Sequence, residues 1–422
     1  MRRRTARSSP GGVFSKTFAA LGVRNFRLFF VGQLISVSGV WMQSVALGWL
    51  VLQVTGSSTD LGLVVALQFV PMLLIGPYGG LIADRNKKRR VLFVTQSLEG
   101  VLALASGLVV STHHANIQAL FLISTLLGIL NLFDNPARQS FVQEMVGPDL
   151  TANAVSLNSV LINAGRLIGP GIAAVSIASW GTAASFYINA ATFVPFILGL
   201  ALMREQDFTP MRTITKEKGQ VRLGLHYVHS EPLLRGVIVG VALVGTFTYN
   251  YTVTLPLFAR LTFHSVTASN YGWMMAAVGL GAVLGGLVVA YRSKPTTLLL
   301  ASVALGLGAM LGLVSQMPTF SLAEICLVPT GALSISFITT ANSFLQTHST
   351  QEMRGRVMSL YALAWLGTTP IGAPLTGAVI HFTNPRVGIL MGSVVTFVTG
   401  LYLLRVSRRH RVLEVSSNVA PL

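Results

Sequence analysis

Residues 79–90 read GGLIADRNKKRR: one acid, Asp84, and five bases, Arg85, Lys87, Lys88, Arg89 and Arg90, in a bend between two long apolar runs. This stretch decides the fold. Charge is expensive inside a bilayer, so a basic cluster flanked by apolar runs marks a place where the chain leaves the membrane and turns back. The composition around it agrees. Of 422 residues, 52% are hydrophobic and 10% charged, against about 25% charged in soluble domains, and mean hydropathy is +0.66. The apolar segments are continuous rather than alternating, which predicts an integral membrane protein of helices and not a barrel.

The net charge is +17. On a soluble protein this would suggest nucleic acid. Here the bases lie between apolar spans and serve topology, so no nucleic-acid partner is expected. Cys326 is the single cysteine. It excludes an intrachain disulfide and leaves no Cys/His metal framework. No GxxxxGK[ST] phosphate loop occurs, and no nucleophile–base set appears. The sequence therefore predicts neither an enzyme nor an ATP motor, and no metal or cofactor. The N-terminal MRRRTARSSPGGVFSKTFAA is basic, but the apolar run after it is too long for a signal peptide. It reads as a cytosolic tail.

Twelve stretches are long and apolar enough to span: roughly 27–53, 61–82, 91–111, 117–134, 154–178, 182–203, 235–259, 270–290, 296–314, 320–344, 355–381 and 387–405. Sorting the connections by side places 27 of the 30 Lys and Arg on one side. Arg260 and Arg386 are on the other, and Arg166 is inside span 5. Bases collect on the cytosolic side, so both termini are expected in the cytosol of a multi-pass membrane protein. The expected division is a tail at 1–26, a six-helix bundle at 27–203, a linker at 204–234, a second bundle at 235–405 and a tail at 406–422. In the linker, Val221, Leu225 and Val228 recur at helical spacing, which predicts an amphipathic helix on the membrane face; a plain solvated linker is the alternative.

The halves carry traces of duplication. Shifting 140–157 by 203 residues aligns Ser140, Phe141, Gln143, Ser156 and Leu157 with Ser343, Phe344, Gln346, Ser359 and Leu360, and Gly169 with Gly372. The opening stretch has a faded copy, GGLVVAYRSK at 285–294, with Ala290 where Asp84 stood. Parallel duplicated halves with a site between them are a transporter design.

These residues give the chain a resemblance to the major facilitator superfamily over nearly its whole length. GGLIADRNKKRR resembles that family's signature between spans 2 and 3, G-x-x-x-D-R-x-G-x-R-R. Gly80, Asp84, Arg85, Arg89 and Arg90 match, and Lys87 replaces the second glycine. In span 5, GRLIGPGIAA at 165–174 resembles the G-x-x-x-G-P motif of the antiporters, through Gly165, Gly169 and Pro170. DNPARQSFVQEMV at 134–146 and NAVSLNSVLINAGRLIGP at 153–170 look like the bacterial branch of siderophore and drug exporters. The family's span 4 signature, an arginine followed by Gln-Gly, has no counterpart, so any proton mechanism must use other residues.

The resemblance implies two pseudo-symmetric six-helix bundles that alternate access to a central cavity. It implies a monomeric carrier that exports a small hydrophobic or amphipathic substrate across the lipid bilayer by proton antiport. An uptake permease, or a non-transporting receptor or scaffold on the same fold, are the alternatives. Three intramembrane charges are candidates for coupling or substrate binding: Glu99, Arg166 and Glu324, the last only a turn from the outer end of span 10. Structural pairing is the competing reading for each. Gly165 and Gly169 share one helix face and would admit a neighbour closely, which the resemblance assigns to span 8 and its Gly279, Gly281, Gly285 and Gly286. Pro170 favours a kink. By resemblance the cavity candidates are Gln33, Gln43, Asn131, Tyr249, Asn250 and Tyr251, with Tyr361 and Trp365 from span 11. Trp41 and Trp49 are either aromatic lining or lipid-facing. A cytosolic gate would be built from Asp84 against the start of span 11 near Arg354, Gly355 and Arg356, while Asp134 would pair with Arg85 or Arg89; Arg138 is grouped with these charges.

Overall fold

The computed structural model describes residues 17–209, 220–265, 267–291 and 295–419, with the side chains at 77–84, 220, 221, 290, 366 and 409–419 outside the description. Among the described residues every regular element is helical, and twelve helical segments are long and apolar enough to cross a membrane. Spans 1–6 cover Arg24–Thr55, Ser58–Arg85, Lys88–Ser111, Ile117–Val146, Thr151–Trp180 and Thr182–Ala201. Span 7 runs over Pro232–Thr262 in three pieces: Pro232–Phe247, Tyr251–Leu257 and a π-helical turn Phe258–Thr262. Spans 8, 9 and 10 are Ser269–Tyr291, Thr297–Gln316 and Phe320–His348. Span 11 is broken into Arg354–Leu366 and Thr369–Phe382, and span 12 begins at Pro385.

Local chemistry sets the turns. Gly56 closes span 1 in the left-handed region, φ 65°, which glycine adopts without a Cβ penalty. Ser57 then accepts the Asp60 N–H at 3.2 Å, so Asp60 sits in the first turn of span 2 where the helix dipole favours an acid. Asn116, Thr296 and Thr319 cap spans 4, 9 and 10 in the same way.

The packing repeats with a period of six spans. In the first half, span 1 packs on 5 and 6, span 2 on 4, and span 3 on 4 and 6. In the second half, span 7 packs on 11 and 12, span 8 on 10, and span 9 on 10 and 12. The halves join through spans 5 and 8 and through spans 11 and 2, which are exchanged by the same shift of six. The chain thus has a pseudo-twofold axis between two six-helix bundles, as the faint repeat predicts.

An even number of spans brings the described chain ends, the linker and the base-rich loops to one side, called here the basic side. Close contact between the halves is concentrated toward the other side. A Cβ on Gly62 of span 2 would lie 2.5 Å from the Ala373 carbonyl of span 11, and one on Gly377 2.5 Å from the Ser58 carbonyl. The inner piece of span 11 barely touches span 2. Spans 5 and 8 behave alike. Gly272 abuts Ala174 and Gly279 abuts the Arg166–Leu167 backbone, but nothing lies within 4 Å of a Cβ at Gly286, two turns toward the basic side. Among the described side chains, close contact between the halves thus thins toward the basic side.

The linker helix is Gln220–Ser230, with a different face inward than the sequence suggests. Val228 is buried but Leu225 is exposed, and the contact is made by Gly224 against Arg356 and Leu360. Tyr227 Oη accepts the Thr350 N–H at 3.3 Å. Gly224 lets the helix approach closely, so the small residue, not the branched ones, chooses the face. Val221 lies outside the described side chains.

Candidate functional site

The basic-side rim of the first half is tied together by its charges. Arg89 donates to the Leu200 carbonyl at 2.6 Å and the Ala201 carbonyl at 2.9 Å, and with Lys87 it pairs with Glu205 at 3.3 and 3.1 Å. Lys88 pairs with Glu144 at 2.9 Å. Arg85, Arg90 and Arg354 are exposed. Arg356 donates to the Met353 sulfur at 2.9 Å. The side chains of Gly80 and Asp84 lie outside the description, so the proposed Asp84 latch has no observed partner here.

Deeper in the same half lies a buried charge cluster. Asp134 of span 4 is paired with Arg138 one turn on, which donates to its Oδ2 through Nε at 2.8 Å and a terminal nitrogen at 2.6 Å. Arg85 and Arg89 therefore do not hold Asp134: a partner four residues away on the same helix is nearer than any loop base. Asp134 Oδ1 accepts from Thr95 at 2.9 Å and from the Gln96 amide at 3.0 Å. The same amide nitrogen donates to Glu99 Oε2 at 2.9 Å, and its oxygen accepts from Ser36 of span 1 at 3.1 Å. Arg138 also lies over the Phe196 ring, 5.1 Å from its centroid. Two buried carboxylates thus share one amide, while the one guanidinium is bound to Asp134, and Glu99 has no base of its own among the described ion pairs. A site with two carboxylates and one cation is neutral only when it holds a proton.

A second cluster forms at mid-depth between the halves. Arg166 lies halfway along span 5, over the Trp41 ring of span 1 at 5.2 Å. It makes no described hydrogen bond or ion pair, and its buried Nε is unpartnered. At similar depth the second half carries an aromatic group, with Tyr249 near the middle of span 7 and Trp365 near the middle of span 11. The Tyr249 and Trp365 rings meet edge to face, 4.2 Å apart, and Tyr249 and Tyr251 are 6.0 Å apart. Span 10 holds this wall: Tyr249 donates to the Ser334 carbonyl, Tyr251 shares a hydrogen bond with Ser334 Oγ at 2.8 Å, and Tyr361 donates to the Ile338 carbonyl at 3.3 Å. The break after Phe247 is what turns Tyr249 and Tyr251 toward each other.

Pro170 shapes span 5 without breaking it: the helix is continuous from Thr151 to Trp180. Proline has no N–H, so the carbonyl four residues back, that of Arg166, loses its helical partner. Gly279 of span 8 approaches this carbonyl; a Cβ there would sit 2.6 Å from it. Gly165 and Gly169 face the first half, not span 8. Gly165 abuts Val37, and Gly169 abuts the Ser38 carbonyl and Trp41. Gly281 and Gly285 abut span 10. The glycine face therefore seats span 5 on span 1, and span 8 supplies its own glycine to reach span 5.

Other residues read from the sequence as cavity candidates are placed elsewhere. Gln43 accepts from Asn189 of span 6 inside the first bundle. Gln33 is fully buried with both amide atoms unpartnered, on the helix face between Phe29 and Ser36, which reach spans 4, 6 and 3. Asn250 donates to Thr246 at 2.7 Å and Thr376 at 3.0 Å and bridges the two broken spans. Asn131 donates to the Leu127 carbonyl of its own helix at 3.0 Å. Glu324 sits in the first turns of span 10, away from both clusters. Gln96, Thr95 and Ser334 escaped sequence reading. Gln96 lies three residues before Glu99, the spacing that puts both on one helix face, and this was the available signal.

Residues 15–420 match the family described as transmembrane secretion effectors. The chain is 27% identical to the staphyloferrin A transporter of Staphylococcus aureus over 83% of this chain and 88% of that protein. It is 26% identical to the multidrug efflux pump Tap of Mycolicibacterium fortuitum, over 89% and 95%. It is 25% identical to the enterobactin exporter EntS of Shigella flexneri, over 90% and 91%. Among solved structures, a bacterial homolog of the human lysosomal transporter Spinster, inward-facing and occupied, superposes with a TM-score of 0.70 at 15% identity, over 92% of this chain and 97% of that one.

Proposed function

The chain belongs to the transmembrane secretion effector family of major facilitator transporters, and from that premise we propose that it exports a small hydrophobic or amphipathic molecule by proton antiport with alternating access. The observation that carries the coupling is that the cluster's one guanidinium, Arg138, is bound to Asp134 alone among the described contacts. With Asp134 paired to it, Glu99 has no counter-charge, so a proton neutralises the cluster and its loss leaves a net negative site inside the bilayer. The cluster touches span 1 through Ser36, and span 1 carries Trp41 beneath Arg166. Loading the proton and loading the substrate are thus read on one helix. Export as the direction is supported by the names of the relatives and by the span 5 motif.

In this reading the basic side is the cytosol, following the distribution of Lys and Arg. The looser contact between the halves then lies on the cytosolic side, which suits an exporter taking up its cargo. Rocking of the two bundles about the mid-depth site exchanges the sides. Everted vesicles containing the protein, energised to an acidic interior, are expected to accumulate the substrate, and a protonophore is expected to abolish this. Glu99→Gln is expected to keep equilibrium substrate exchange and lose gradient-driven accumulation. Accumulation by Glu99→Gln at the wild-type level would remove Glu99 from the coupling step.

A further inference from the structure

We propose that the mid-depth site takes an organic anion with a flat apolar body, Arg166 receiving the anionic group and the Tyr249–Trp365 wall receiving the body. This rests on the transport reading above and adds the chemical class of the cargo.

The first support is the state of Arg166. A guanidinium in a bilayer interior ordinarily finds a carboxylate or a set of carbonyls. Arg166 has neither among the described residues: it makes no ion pair, and its Nε is buried without a hydrogen-bond partner. Its contact with Trp41 orients it, but a cation–π contact leaves the charge unneutralised. The intramembrane acids are committed elsewhere: Asp134 to Arg138, and Glu99 to Gln96 inside the first bundle. Glu324 and Asp60 sit at the far ends of spans 10 and 2. The only full charge facing the space between the halves among the described residues is therefore positive.

The second support is independent and lies in the other half. Tyr249 and Tyr361 donate their hydroxyl hydrogens to span 10 carbonyls, and the Tyr251 hydroxyl is engaged with Ser334. With Tyr249 and Tyr361 donating to span 10, these phenols offer fixed rings and oxygen lone pairs, which suits an apolar body and disfavours a bare anion. The anionic end is directed to Arg166 and the body to the wall. Each half of the transporter then holds one end of the cargo. A ligand of this kind favours the arrangement in which both ends are engaged, which is what a carrier needs to respond to occupancy.

The test uses three probes sharing one fluorophore and differing in charge: dansylglycine, an anion; dansylamide, neutral; and dansylcadaverine, a cation. Binding is measured by dansyl fluorescence on the full chain in nanodiscs of neutral lipid, with empty nanodiscs subtracted for partitioning. The anion is expected to bind about tenfold more tightly than the other two. Arg166→Gln is expected to abolish that preference and Arg166→Lys to retain part of it. Thermal unfolding of each variant reports whether it is folded. Equal or tighter binding of dansylcadaverine by the wild type overturns the proposal without use of any variant. So does an undiminished anion preference in folded Arg166→Gln. No gradient is involved, so the two readings fail separately. Anion preference without gradient-driven transport would sink the antiport reading alone, and gradient-driven export without anion preference would sink this one alone.

Discussion

Arg138 shows how much one side chain holds at the residue scale. It is 13% exposed and its partner Asp134 4%, so removing it strands two carboxylates in an apolar bundle. Arg138→Ala is expected to destabilise the protein by about 3–5 kcal/mol, read as a large fall in melting temperature in detergent. The double change Asp134→Asn with Arg138→Met leaves no unpaired charge between them and should recover much of that loss. Glu99 and Arg166 were legible in the sequence because a charge in an apolar run stands out. Their circumstances were not. The spacing of Asp134 and Arg138, four apart on one helix, did announce their pairing, but nothing in the order of residues says that Gln96 joins Glu99 to Asp134, or that Arg166 has no acid. Those outcomes depend on distances across helices. Gln33 and Gln43 show the same limit from the other side, since polarity marked them but only packing shows that they face the interior of their own bundle.

Elements were read well in number and poorly in interior detail. All twelve spans follow from apolar length. The breaks in spans 7 and 11 did not follow. TYN at 248–250 carries no strong turn signal, and the surrounding packing decides it; at span 11, Gly367 at the helix end and Pro370 in the first turn of the next helix were a signal that apolar length alone passes over. The glycines of span 5 were assigned to the wrong neighbour because a small-residue face announces a close approach without naming the partner. Gly279 gives a direct check of the arrangement found. Gly279→Ala forces a Cβ to 2.6 Å from the Arg166 carbonyl, and is expected to cost about 1–3 kcal/mol by overpacking. Gly286→Ala meets open space on the same helix and is expected to leave the melting temperature unchanged or raise it slightly, by helix propensity. Equal effects at the two positions would show that spans 5 and 8 do not diverge as described.

At the scale of the whole molecule the weak internal repeat proved sufficient to foresee the two bundles, because every principal packing pair recurs six spans on. It did not foresee how unlike the bundles are. Spans 1 and 5 are continuous helices and their counterparts 7 and 11 are broken, so the second half has joints where the first has none. The buried acid–base cluster occurs in the first half alone among the described residues. The Asp84 latch belongs to this scale, since it would join one half to the other. Asp84→Asn is expected to raise the labelling rate of single cysteines placed on the basic-side faces of spans 2 and 11, and to lower that of cysteines on the opposite rim. Unchanged labelling on both rims would show that Asp84 does not hold the halves together.

The two rims also differ in charge, and this sets the kinetics of entry. On the basic side stand Arg85, Arg90 and Arg354, all exposed. On the opposite rim, among the described residues, the bases Arg386 and Arg260 are hydrogen-bonded to the carbonyls of Ser315, Met317 and Leu52 and are matched in number by the acids Asp60 and Glu324 at the starts of spans 2 and 10. A negatively charged solute is therefore drawn by a long-range field on one face and meets little such attraction on the other. Its encounter rate should fall with ionic strength when it arrives from the basic side and stay nearly flat from the other, so that salt alone reveals which mouth is the inlet.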